Sequence, residues 1–115
     1  MDEAVGCIEY AVEHLGTRLI MVLGHDKCGA AEDVVKGAET SGHIVSIVKA
    51  IAPAVQKAKN QPGDLLENAI RENVAMAVDR LKSSSSLLTH LVKDGGLKIV
   101  GAHYRLDNGK VTIVP

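Results

Sequence analysis

The most restrictive feature of the sequence is an uninterrupted apolar run, LIMVL at residues 19–23, which ends at Gly24. Such a run without polar interruptions is typical of a strand that is buried on both faces, as the strands of parallel sheets are. The run therefore predicts an α/β protein with a parallel sheet. It also places His25 at the carboxyl end of a strand, with Cys28 shortly after it.

Segments with helical periodicity surround this strand. Apolar residues recur at the spacing of one helix face in residues 2–15, 44–55 and 64–81. Two shorter helices are predicted between glycines or turns, in residues 29–37 and 87–92. Pro53 is expected to kink its helix, because proline removes a backbone donor. Asp64 and Glu67 resemble a capping box, and Ser86 is expected to cap the helix after the SSSS run.

Two further strands are predicted near the carboxyl end. LKIVGAHY at residues 97–104 and KVTIV at residues 110–114 flank the turn LDNG, in which Gly109 is able to take a positive φ. We expect a short, mostly parallel sheet of two parallel strands and one antiparallel hairpin strand, flanked by helices. Residues 19–23 then lack a neighbour on one side, so we expect a homodimer or higher homo-oligomer that covers this edge.

The composition is consistent with a single small domain. The chain has 115 residues, 46% of them hydrophobic, and a formal charge of -1 with both signs interspersed. This distribution predicts neither a nucleic-acid nor an anionic-membrane partner. No apolar run approaches the ~20 residues of a membrane helix, and the acidic start is unlike a signal peptide. We expect a cytoplasmic protein, although an upstream leader remains open.

His25 and Cys28 are candidate metal ligands. Zinc binds imidazole nitrogen and thiolate sulfur, and a catalytic zinc site commonly has three protein ligands, of which this pair supplies two. The predicted helix that begins at Gly29 would favour the Cys28 thiolate through its dipole. A disulfide with Cys7 or a buried structural role is the alternative for Cys28. A CxxC redox pair and a G-x-S-x-G elbow are both absent from the sequence.

Four segments in order resemble successive parts of the β-class carbonic anhydrases. These segments are GCIEYAVEHLGTRLIMVLGHDKCGAAEDVVKG, GHIVSIVKAI, ENAIRENVAMAVDRL and LKIVGAHYRLDNGKVTIVP. The resemblance covers essentially the whole chain, but it corresponds to the later part of the family's domain. It implies that residues 1–115 form a single, N-terminally truncated β-carbonic-anhydrase-like domain, either a fragment or a shortened family member.

The resemblance also implies a reaction and a site. His25 and Cys28 would be the second and third zinc ligands, next to Gly24, Gly29 and Ala30, and the reaction would be the reversible hydration of CO₂ to bicarbonate and a proton. The family's first ligand and its catalytic Asp/Arg pair lie in a Cys-x-Asp-Ser-Arg motif that this sequence lacks. We therefore expect this chain alone to be weakly active or inactive, with zinc absent or incompletely ligated.

Several alternatives stay open at this point. Cys7 is a candidate substitute ligand, with a small buried cysteine as the other interpretation. Two alternatives to a carbonic anhydrase also stay open. One is a non-catalytic family member that acts as an oligomerising or binding module, and the other is a relative that acts on CS₂ or COS. His103 and Arg105 replace a tyrosine and an aspartate of the family's hairpin, and His103 is either a proton shuttle or a structural residue of the strand.

Overall fold

Five helices and three strands make up residues 2–115, the part of the chain that this computed structural model describes. In chain order they are α1 (Asp2–His14), β1 (Leu19–His25), α2 (Gly29–Lys36), α3 (Ile44–Ala58), α4 (Leu65–Ser84), α5 (Ser86–Lys93), β2 (Lys98–Tyr104) and β3 (Val111–Val114). The predicted α/β class and order of elements are confirmed. No helix among residues 2–115 combines the length and apolarity needed to span a membrane.

The strands form one sheet in the order β1-β2-β3. β1 pairs with β2 in parallel, with Leu19 opposite Lys98 and His25 opposite Tyr104. β3 returns antiparallel to β2 through a turn in which Gly109 has a φ of 72°. The predicted pair of parallel strands with an antiparallel hairpin strand is therefore confirmed.

β1 differs from the prediction in its burial. Within residues 2–115 it pairs with β2 alone, and its side chains alternate between exposed and half-buried. Ile20 and Val22 pack against the core, whereas Leu19, Met21 and Leu23 are 55%, 44% and 52% exposed. The prediction that this strand is buried on both faces is wrong for this chain, because core residues cover one face of it. The predicted lack of a neighbour on one edge is confirmed.

Helix α4 links two hydrophobic clusters. The first cluster joins α2, α3 and α4 through Ala31, Ile51, Val55, Ala58, Ala69 and Ile70. The second joins α1, α4, α5 and the segment that leads into and forms β2, through Val12, Val78, Leu88, Leu97 and Ile99. Because α4 contributes to both clusters, it holds the sheet and the remaining helices together.

Side-chain caps set the beginnings of α4 and α5. Asp64 accepts a hydrogen bond of 2.9 Å from the backbone N–H of Glu67, as predicted. The cap of α5 is Ser85, which accepts from the N–H of Leu88, so the prediction of Ser86 is wrong by one residue. The reason is that α4 continues to Ser84, which leaves a single residue between the two helices.

Candidate metal centre

A tight turn joins the end of β1 to the beginning of α2. The backbone N–H of Asp26 donates to the carbonyl of Tyr104 at 3.1 Å, which continues the pairing of β1 with β2 beyond the strand. Lys27 follows in the left-handed region with a φ of 54°, which reverses the chain. Cys28 then occupies the N-cap position of α2. His25 and Cys28 therefore stand on either side of a turn anchored to the sheet.

One hydrogen bond to the backbone favours one tautomer of the neutral His25 ring. Its Nδ1 lies 2.9 Å from the backbone carbonyl oxygen of Asp26. Because a carbonyl oxygen only accepts hydrogen bonds, Nδ1 carries the proton in this contact. Nε2 is then left with its lone pair, which is the arrangement of a metal-binding histidine oriented by a backbone carbonyl.

Cys28 is half-buried, and its backbone is extended, with φ -60° and ψ 114°. Its side chain makes no capping hydrogen bond to α2, and it is not part of a disulfide. The amino end of a helix stabilises a thiolate through the helix dipole. Cys28 also packs against the first hydrophobic cluster, so the structural role considered from the sequence is compatible with its position.

His25 and Cys28 line the same cleft, which has a volume of about 180 Å³. Its walls come from the end of β1, from α2 and from α4, and the other lining residues are Val22, Leu23, Gly24, Ala31, Ile70, Asn73, Val74 and Ala77. Among residues 2–115, the buried amide oxygen Oδ1 of Asn73 has no hydrogen-bond partner. The cleft thus combines an imidazole and a thiol with largely apolar walls.

The pair fits part of a zinc site. A free imidazole nitrogen and a thiol at a helix amino end are the donor types that zinc prefers. Within the described residues, no third His, Cys, Asp or Glu completes a group of three with His25 and Cys28. His25 and Cys28 therefore form an incomplete set of ligands in the part of the chain that the structure describes.

The other residues predicted near the site have different surroundings. Gly24 lies under α4, and a Cβ atom placed there would be 2.5 Å from Cγ2 of Val74. Gly29 is exposed with open space around it, and Ala30 packs against the first hydrophobic cluster. Cys7 is exposed on α1 and is not among the residues that line the cleft. A ligand role for Cys7 stays a prediction.

A second group of polar side chains lies beyond the turn, and sequence reasoning did not bring it together. Ligand atoms of Asp26, Glu67 and His103 all lie within 4.8 Å of one another. These residues come from the β1–α2 turn, the first turn of α4 and β2, so no local spacing connects them. The available signal was the departure of His103 and Arg105 from the tyrosine and aspartate of the family's hairpin.

Arg105 lies beside this group, but its guanidinium is hydrogen-bonded to Asp107. Its Nε and Nη2 donate to the two carboxylate oxygens of Asp107 at 3.3 Å and 3.2 Å. The hydrogen bonds and charge of Asp107, and then the charges of Asp26 and Glu67, raise the pKa of Arg105. The negative field of Asp26 and Glu67 therefore extends to the neighbouring hairpin.

The sequence profile of the carbonic anhydrase family matches residues 1–111. "Carbonic anhydrase 2" of Mycobacterium tuberculosis strain H37Rv is 34% identical over 118 aligned positions that cover 98% of this chain and 57% of the relative. The carbonic anhydrase of Mycolicibacterium smegmatis is 32% identical, with the same coverage of 98% and 57%. The chain thus spans little more than half the length of these curated relatives.

Solved structures share the fold at lower sequence identity. A tetrameric β-carbonic anhydrase from Sordaria macrospora superposes with a TM-score of 0.84 at 18% identity, over 99% of this chain and 60% of the other. The Coccomyxa β-carbonic anhydrase in complex with acetazolamide gives 0.77 at 24% identity, over 95% and 52%. The profile match over nearly the whole chain, together with this fold, shows that the chain belongs to the β-class carbonic anhydrase family.

Proposed function

We propose that residues 1–115 are the later part of one β-carbonic-anhydrase domain, in which His25 and Cys28 bind zinc for the reversible hydration of CO₂ to bicarbonate. The observation that carries this proposal is the shared cleft of His25 and Cys28, with Nδ1 of His25 engaged by a backbone carbonyl. Bound zinc would act as a Lewis acid and lower the pKa of water toward neutrality.

The protein groups have separate tasks in this proposal. The carbonyl of Asp26 orients the His25 ring, and Cys28 at the amino end of α2 supplies the sulfur ligand. The apolar side chains of Val22 and Val74 line a cleft suited to a small molecule without charge, such as CO₂. A third ligand would have to be a group that does not lie beside His25 and Cys28 in this structure.

Changing Cys28 to serine tests the zinc proposal. We expect zinc affinity to fall by at least about 10- to 100-fold, because a direct ligand is removed. That range is typical for the loss of an outer-shell partner, whose contribution is smaller. Competition titration against a chelating dye would measure the affinity. Cys7→Ser is the matched control and should bind zinc as the unaltered chain does. Unchanged affinity in Cys28→Ser would contradict the assignment, and a loss in Cys7→Ser would support Cys7 as a substitute ligand.

Stopped-flow CO₂ hydration tests the activity. The 115-residue chain alone is expected to be weakly active or inactive, because two protein ligands leave the zinc site incomplete. A longer protein or an assembly that supplies the third ligand should be active. CS₂ and COS should be assayed beside CO₂, because a relative acting on them would have the same half-site. A zinc-loaded complete form that hydrates none of them would refute the enzyme proposal.

A non-catalytic role as an oligomerising or binding module is the second candidate function. It is favoured by the absence, within the described residues, of a third ligand for the His25–Cys28 pair, and by the packing of Cys28 in a hydrophobic cluster. Stoichiometric zinc in the purified chain would count against this candidate. The cytoplasmic location expected from the sequence remains a prediction.

Self-association through the free edge of β1 is part of the proposal. Leu19 and Met21 are exposed on this strand, and unpaired strand edges with apolar side chains favour pairing with another chain. We expect a dimer or larger assembly in light scattering, and a shift toward monomer when both residues are changed to lysine. Leu106→Lys, at a residue that is 55% exposed in the hairpin turn, is the control. A monodisperse monomer of the unaltered chain would contradict this prediction.

A further inference from the structure

We propose that Asp26, Glu67 and His103 form a second site, which binds a divalent first-row transition ion and is separate from the His25–Cys28 pair. The three side chains come from three different elements, and their ligand atoms lie within 4.8 Å of one another. One imidazole nitrogen and two carboxylate oxygens make a mixed nitrogen and oxygen donor set without sulfur. This inference does not depend on the proposed carbonic anhydrase activity.

The buried imidazole of His103 is the observation that distinguishes this group from an ordinary acidic cluster. His103 is 2% exposed, and its Nε2 faces Oδ1 of Asp26 at 2.9 Å. This contact brings the imidazole and the carboxylate together as a possible ion pair, but Nε2 makes no hydrogen bond among residues 2–115. A buried polar atom without a partner is costly. A cation bound between Nε2 and the carboxylates would satisfy it.

The two carboxylates are oriented and keep oxygens available. Oδ2 of Asp26 accepts from the backbone N–H of Leu106 at 3.3 Å, which leaves Oδ1 directed toward His103. The ion pair of Glu67 with Arg71 uses Oε1, at 3.3 Å, so a second carboxylate oxygen remains. Both carboxylates are half-buried, where a divalent charge compensates them more effectively than it would in open solvent.

An open cleft borders the two carboxylates, and the donor set indicates the class of ion. Asp26 and Glu67 line an open cleft of about 240 Å³ that also contains Lys27 and Arg105. Arg105 is held by two hydrogen bonds to Asp107, which limits its competition for the carboxylates. Carboxylates suit Mn²⁺ and imidazole suits zinc or iron, whereas thiolates select softer ions. Mn²⁺ therefore discriminates this site from the His25–Cys28 pair.

Titration of the metal-free chain with Mn²⁺ tests the proposal. Calorimetry should show saturable binding of one ion per chain. Electron paramagnetic resonance, which measures the concentration of free Mn²⁺, should give the same stoichiometry. Glu67→Gln and Asp26→Asn should each weaken binding by about 10-fold or more, because each removes a charged ligand. Glu13→Gln, which removes an exposed carboxylate on α1, is the matched control and should bind as the unaltered chain does. Cys28→Ser should also retain Mn²⁺ binding, which separates this site from the proposed zinc site.

A second measurement tests the role of His103 without a buried substitution. Bound Mn²⁺ should broaden the NMR signals of the His103 ring in the unaltered chain, and much less so in Glu67→Gln at the same concentration. Binding that survives in Glu67→Gln and Asp26→Asn would overturn the proposal. Binding lost in Cys28→Ser alone would also overturn it, since it would place the ion at the other pair. Failure to saturate would overturn it as well.

Discussion

Replacing Leu88 with alanine is expected to lower the free energy of unfolding by about 2–5 kcal/mol, the range for large-to-small changes in a packed core. Leu88 lies on α5, is 0% exposed and packs in the second hydrophobic cluster with Val12, Val78 and Leu97. The truncation would leave a cavity where α1, α4, α5 and the segment into β2 meet. Because small domains have about 5–15 kcal/mol of stability in total, this loss would be a large part of it.

Urea denaturation followed by circular dichroism would measure this loss. Leu106→Ala is the matched control, since Leu106 is 55% exposed, and it should change the stability by no more than about 0.5 kcal/mol. Equal effects of the two substitutions would show that α5 is not packed as described.

Replacing Gly24 with alanine is expected to lower the free energy of unfolding by about 1–3 kcal/mol, as overpacking of a core does. The added Cβ would lie 2.5 Å from Cγ2 of Val74, and a Cβ at Gly101 would lie 2.6 Å from Cγ1 of the same residue. Val74 therefore sits over glycines of both β1 and β2, which allows α4 to approach the sheet closely. Because α4 also forms a wall of the cleft, we expect the same substitution to weaken zinc binding.

Gly6→Ala is the matched control for this substitution. Gly6 lies inside α1 with no atom within 4 Å of an added Cβ, so the change should raise the stability by about 0.5–1 kcal/mol through helix propensity. Thermal and urea unfolding of both variants would measure the two effects, which have opposite signs. A Gly24→Ala variant as stable as the unaltered chain would contradict the close approach of α4.

Local patterns were sufficient to predict most elements and the position of the zinc half-site. The apolar run before Gly24 marked β1, and helical periodicity marked the long helices. His25 and Cys28 could be assigned because the turn that connects them is four residues long, including both ends, and lies at a strand end. The missed cap, Ser85 in place of Ser86, arose where α4 continued through polar residues without an apolar pattern to mark its end.

Burial was harder to predict than element type. The residues of β1 are apolar at every position of the run, so the pattern could not indicate which face the core covers. The packing leaves Leu19, Met21 and Leu23 exposed and buries Ile20 and Val22 in part. Similarly, the sequence marked His103 as a departure from the family, but its burial beside Asp26 depends on the pairing of β1 with β2.

The sequence by itself determined the α/β class, the order of the elements, the hairpin and the placing of His25 and Cys28 around one turn, because periodicity and turn chemistry act over a few residues. Only the tertiary structure decided how closely α4 packs over Gly24 and Gly101, which face of β1 remains exposed, and that Asp26 and Glu67 meet His103. These contacts join residues that are distant along the chain. They exist only when all the elements pack together, so no local pattern encodes them.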